Sequence, residues 1–127
     1  MNNKQLLNYI YYEKIKDNFY YGKFTNAHAH SCFKLVIDKN TNCFNATTLC
    51  KDGEKDFYQF QSRNFTSEYE MIDKINKEIT GKYVEKDFIL DIAEWISIKF
   101  YNDCNQIIND YFITFPTKTN IKILING

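Results

Sequence analysis

The chain has 127 residues, of which 44% are hydrophobic and 17% aromatic, enough for one buried core, and its charged residues sum to a net of zero. The lack of long charge blocks or Gly/Ser/Pro-rich stretches excludes extended disorder and leaves no linker between domains. No apolar run approaches the roughly 18 residues of a membrane span and no charged-then-apolar leader opens the sequence, so a soluble, intracellular protein without a membrane partner is expected.

Leu6, Leu7, Ile10, Tyr11 and Ile15 fall at helical spacing and predict an amphipathic helix over about residues 3–16. The aromatic-rich stretch Phe19 to Phe24 and the apolar run Phe33 to Ile37 read as strands, joined by a connection from Thr25 to His30. Asp38 to Asn42 is a turn of residues that satisfy their own backbone, and Cys43-Phe44 returns from it, making a hairpin. Asn45 is placed to cap a short helix from Ala46 to Lys51, ended by Gly53 at a position of positive φ, and a second short helix follows from Glu54 to Arg63. Ser67 with Glu70 reads as a capping box opening a helix with Met71, Ile72, Ile75 and Ile79 as its buried stripe, closed by Gly81. Lys82-Tyr83-Val84 is a strand. Phe88, Ile89, Ile92, Trp95 and Ile96 mark a helix ending near Ser97, which caps the next, where Phe100, Cys104, Ile107, Ile108 and Tyr111 form the stripe. Pro116 breaks the pattern before a strand-like tail, Ile121 to Ile125. The divisions are an N-terminal helical extension at 1–17, a central domain at 18–112 and the tail at 113–127.

Residues 1–64 carry nine Lys/Arg against six Asp/Glu and residues 65–127 seven against ten, so the halves are +3 and −3. A neutral total argues against a uniformly basic nucleic-acid binder but permits a local basic face. Cys32, Cys43, Cys50 and Cys104 contain no C-x-x-C pair and read as free thiols. His28, His30 and Cys32 would share one face of an extended segment, but no fourth ligand stands at useful spacing, so no metal and no other cofactor is expected. No nucleophile elbow, phosphate loop or H-E-x-x-H motif is present, which makes an enzyme the least favoured class.

Two stretches are distinctive. Asn42 to Lys51, followed by Gly53, Lys55, Phe57 and Phe60, resembles the first half of a KilA-N domain. Gly81 to Val84, Ile89 to Ala93, and Trp95-Ile96-Ser97 with Phe100 resemble its second half, in matching order over about residues 33–112. The resemblance implies a small α+β fold related to the APSES DNA-binding domains of fungal transcription factors, with β-hairpins packed against paired short helices in a winged-helix-like arrangement. It also implies duplex DNA binding in poxviruses and other large DNA viruses, within the host cytoplasm at viral factories. Relatives often carry a RING ubiquitin-ligase domain and act in host range; without its Cys/His ligands, this sequence is not expected to be a ligase of that kind itself. The sequence departs from the family pattern at Phe60, where tryptophan is usual, and at Glu85-Lys86, where His-Pro is usual.

A helical wheel over 54–63 puts Phe57 and Phe60 on one face and Lys55, Tyr58, Gln59 and Ser62 on the other. Gln59 suits adenine, Lys55 and Arg63 suit phosphate or guanine, and Tyr58 and Ser62 suit the sugar–phosphate backbone. Asn45, Thr47 and Thr48 open the preceding helix, where a phosphate or merely a cap would fit, and Lys51 lies at its end. Lys39 and Lys82 sit on two presumed wing turns. The plainer reading of all these polar residues is a solvated surface. Four to six phosphate contacts would give a log–log salt slope of about −3 to −5. The alternative is a protein-interaction module on the same fold, without DNA affinity, acting on host or viral proteins or self-associating through the apolar tail.

Overall fold

The computed structural model describes residues 8–26, 31–61 and 69–116. In chain order the elements are strands β1 (Asn8–Lys16), β2 (Phe19–Asn26), β3 (Ser31–Asp38) and β4 (Cys43–Asn45), and helices α1 (Ala46–Asp52) and α2 (Phe57–Gln61). Strand β5 (Tyr69–Met71), a 3-10 turn (Lys77–Ile79), strand β6 (Gly81–Val84) and helices α3 (Lys86–Ile96) and α4 (Ile98–Thr114) complete the order. The strands form one antiparallel six-stranded sheet in the order β1-β2-β3-β4-β6-β5. The fold is therefore α+β, as the resemblance implied.

Side chains alternate across a strand, so each face of this sheet has its own set of partners. Phe24, Leu35, Ile37 and Phe44 meet Ile92, Ile107, Ile108 and Tyr111 of α3 and α4 in the main core. Gly22 admits the close approach of α4: a Cβ there would lie 2.8 Å from Ile107 Cγ2. On the opposite face Phe19, Val36, Cys43 and Tyr83 form a smaller cluster closed by Ile79 of the 3-10 turn. The β3–β4 hairpin forms as expected: Asp38 accepts from the Asn40 amide and the Thr41 hydroxyl, and Asn42 takes φ 59°. Ser97 accepts from Phe100 N at 3.1 Å and so divides α3 from α4.

Four expectations are corrected. The helix over 3–16 is instead a strand from Asn8 onward, with Ile10 and Tyr12 packed toward the helices and Tyr9 and Tyr11 exposed on the other side. The helix opened by Ser67 does not form. Tyr69–Met71 pairs with Gly81–Tyr83, Ile72 and Ile75 are 69% and 86% exposed, and Asp73 Oδ1 accepts from the amides of Ile75 and Asn76 to turn the chain. Gly53 has φ −87°, while Glu54 takes the left-handed φ of 58°. Glycine is required at 53 for room, because a Cβ would come within 2.6 Å of Ile96 Cγ2. Lys82 lies inside β6, not on a turn. The expectations for His28, His30, Ser62, Arg63 and the tail fall outside the described residues.

Candidate nucleic-acid interface

Asn45 fixes the local architecture at the end of β4. Its side-chain oxygen accepts from Thr48 N at 3.0 Å, while its amide donates to Thr80 O at 3.1 Å and the Tyr83 hydroxyl at 3.3 Å. One buried side chain thus caps α1 and ties it to the strand entering from the 3-10 turn. Thr47 extends the tie, its hydroxyl accepting from Lys82 N at 3.0 Å. Burial of Phe57 and Phe60, the latter with its ring centroid 5.6 Å from that of Trp95, turns the remaining faces of α2 outward.

Between α1, α2 and β6 lies a groove of about 590 Å³ lined by Thr47, Lys51, Lys55, Tyr58 and Lys82, together with the carboxylates Glu54, Asp56 and Glu70. Lys82 Nζ lies 5.3 Å from the Tyr58 ring centroid, a contact between two residues of the groove, whereas Lys55 Nζ lies 5.4 Å from the ring centroid of Trp95, which is outside the groove lining. Tyr58 is 69% exposed. The groove joins three ammonium groups, an exposed phenol and a hydroxyl at one helix start, and the three carboxylates oppose that charge.

Of the residues singled out from sequence, this groove unites five. Gln59 is exposed on α2 outside the groove lining. Thr48 lines a neighbouring cleft, and its hydroxyl donates to Asn45 O. Lys39 stands apart on the β3–β4 turn, its ammonium 3.9 Å from the Phe115 ring centroid and 4.9 Å from that of Tyr20. Asn45 leaves the contact set altogether: its side chain is fully buried and engaged in the cap. Sequence reasoning missed Glu70, which the discarded helix hid and which β5 sets opposite Lys82.

The KilA-N domain family model matches residues 29–114, from just before β3 through the last turn of α4. The chain belongs to the KilA-N domain family. It is 44% identical to KilA-N domain-containing protein 313L of invertebrate iridescent virus 6 over 84% of the chain and 34% of that protein. Protein 006L of the same virus is 41% identical over 84% of the chain and 35% of its own length. Protein L4 of Acanthamoeba polyphaga mimivirus is 29% identical over 91% and 28%. The chain thus spans about a third of the length of these curated relatives. No solved structure matches. Strands β1 and β2 both lie N-terminal to the matched stretch.

Among the described residues no cluster of His, Cys, Asp and Glu has the arrangement of a metal site, and no helix is long and apolar enough to cross a membrane. Burial pushes the Cys50 and Cys104 thiols up to about 12, which leaves them protonated near neutrality.

Proposed function

We propose that the domain binds duplex DNA in the groove between α1, α2 and β6, mainly through phosphate contacts with weak readout of A/T-containing sites, and performs no catalysis. The observation that carries this reading is the convergence of Thr47, Lys51, Lys55, Tyr58 and Lys82 on one groove. Lysine ammonium groups neutralise phosphates, and Tyr58 and Thr47 supply hydrogen bonds to the backbone. Gln59, exposed on α2, has the chemistry to meet adenine, and Ser62 and Arg63 follow it in the sequence with the chemistry to meet the backbone. Glu54, Asp56 and Glu70 weaken attraction at long range, so affinity rests on close fit and falls readily with salt.

Titration of a labelled duplex of about 20 base pairs by fluorescence anisotropy, at several salt concentrations, tests the reading. Three lysine contacts give a log–log slope of about −3, and Lys55→Gln with Lys82→Gln removes about two units of it while the thermal transition stays in place. Absence of duplex binding at low salt, or equal loss of affinity and stability in the double variant, refutes it.

A second reading is a protein-interaction module acting on a host or viral protein. Its support is specific: Ile72 and Ile75 stand exposed beside β5, an edge strand of the sheet. Ile72→Asp with Ile75→Asp abolishes capture of such a partner under this reading and leaves DNA binding untouched under the first.

A further inference from the structure

The face of β1–β3 turned away from the main core bears a pattern that the groove does not use. Register places Tyr11, Lys23 and Lys34 in one row across the three strands, and Glu13, Tyr21 and Val36 in the next. Tyr9 and Tyr11, 52% and 36% exposed, stack with ring centroids 5.4 Å apart. Lys23 and Lys34 are direct cross-strand partners, an arrangement of like charges that costs stability. Their ammonium groups lie 5.3 and 5.0 Å from the Tyr21 ring centroid. Lys23 is answered by Glu13 at 2.8 Å, whereas exposed Lys34 makes no ion pair among the described residues. Beyond Lys34 the face runs into a cleft of about 270 Å³ where Lys51 and Lys77 stand with Tyr21 and Thr48, partly offset by Asp52 and Glu78.

We infer that this sheet face is a second nucleic-acid surface, one that takes a single strand across Tyr9, Tyr11 and Tyr21 with its phosphates on Lys34 and the lysines of the adjoining cleft. The exposed rings of Tyr9 and Tyr11, with the half-buried Tyr21 beside them and ammonium groups interleaved, match the two needs of an unpaired strand: base faces to stack and backbone charge to neutralise. A duplex conceals its base faces and cannot use the tyrosines, so the two surfaces divide the two forms of nucleic acid. The unfavourable Lys23–Lys34 juxtaposition is relieved when a phosphate joins it. Strands β1 and β2 both precede the stretch matched by the KilA-N model, so the tyrosines of the platform lie on the hairpin N-terminal to that stretch. The inference goes beyond the groove reading and stands without it.

The test uses the whole chain and anisotropy of labelled oligothymidine and oligouridine of about 15 nucleotides, a length matched to single-strand sites, alongside the duplex. Tyr9→Ala with Tyr11→Ala, and separately Lys34→Glu, are expected to weaken single-strand binding about tenfold or more with duplex affinity and melting temperature unchanged. Tyr11→Phe, which keeps the ring, retains binding. Lys55→Gln with Lys82→Gln has the opposite selectivity, lowering only duplex affinity; Lys51 lines both clefts and is left intact. Binding of either oligonucleotide with this selectivity supports the surface, and the relative affinities say whether the ribose hydroxyl is read. Failure of wild-type protein to bind either single strand at low salt, or indifference of single-strand binding to the sheet variants, overturns it. Loss of duplex binding alone overturns only the groove.

Discussion

Replacing Asn45 by alanine separates a structural cap from a nucleic-acid contact. The substitution removes the acceptor of the Thr48 amide, a loss of about 1 kcal/mol for a helix cap. It also removes the donor to the Thr80 carbonyl in a site where Asn45 itself is wholly buried, worth about 1–3 kcal/mol when the orphaned group finds no replacement. The Tyr83 hydroxyl keeps its own acceptor, Ile79 O at 2.6 Å, so no further loss arises there. The two losses together come to about 3 kcal/mol, which lowers the melting temperature of a domain this size by on the order of 10 °C. Circular-dichroism melts measure that shift, and anisotropy titration well below the transition measures DNA affinity in parallel. Stability falls and affinity persists if Asn45 is the cap described. An unchanged melt with weakened DNA binding would refute the assignment and return Asn45 to the interface.

Gly81→Ala puts a Cβ against Asn45 Oδ1 and 2.8 Å from Thr47 Cβ, at a φ of 149°; a loss of about 1–3 kcal/mol in urea unfolding is expected, together with disturbed packing at the groove. Phe60→Ala empties the contact with Trp95 and costs about 3–5 kcal/mol, read by denaturant unfolding, with Trp95 fluorescence shifting to the red. The Asp73 carboxyl is held down to about 2 by the Asn76 amide, the Lys16 ammonium at 2.9 Å and the Ile75 amide. Its folded value lies below the unfolded value of about 3.9, so its contribution is complete above about pH 4 and lost as pH falls through about 2. Urea midpoints from pH 6 downward should therefore drop more steeply for the natural chain than for Asp73→Asn across that window. Parallel curves would refute the claim.

The central elements were legible because their signals were mutually consistent. Turn residues Asp38 to Asn42, the cap at Asn45 and the cap at Ser97 each satisfied local backbone groups, and the stripes from Ile89 to Ile96 and Cys104 to Tyr111 matched one helical period over several turns. Two segments misled. Ile10, Tyr11 and Ile15 fit helical spacing, but the run Tyr9-Ile10-Tyr11-Tyr12 is made of strand formers, and inward Ile10 and Tyr12 alternate with outward Tyr9 and Tyr11. The Asp17-Asn18 step before Phe19 was the available hairpin signal, and Asp17 indeed takes φ 52°. At Met71 to Ile79 the helical spacing was accidental: Met71 and Ile79 pack into the smaller cluster, while Ile72 and Ile75 face outward. Asp73, unremarked in the sequence, bends that segment by taking two amides on one carboxylate oxygen.

The candidate site was legible only in its parts list. A net charge of zero implied little attraction for a polyanion, yet the fold gathers Lys51, Lys55 and Lys82 from α1, the α1–α2 connection and β6 at one groove. The same folding brings Glu54, Asp56 and Glu70 beside them, so the neutral total is reproduced locally instead of being segregated. Attraction across such a groove decays faster with distance than that of a uniformly basic face, because opposite charges a few ångströms apart cancel beyond the screening length. Binding then depends on ammonium groups already held at the groove, foremost Lys82, whose aromatic support Tyr58 lines the same groove. Tyr58→Ala is accordingly expected to weaken duplex binding even though it changes no charge, with Tyr58→Phe restoring most of it. A Tyr58→Ala chain that binds as tightly as the natural one would mean that the ammonium groups act as plain charges and that their support contributes nothing.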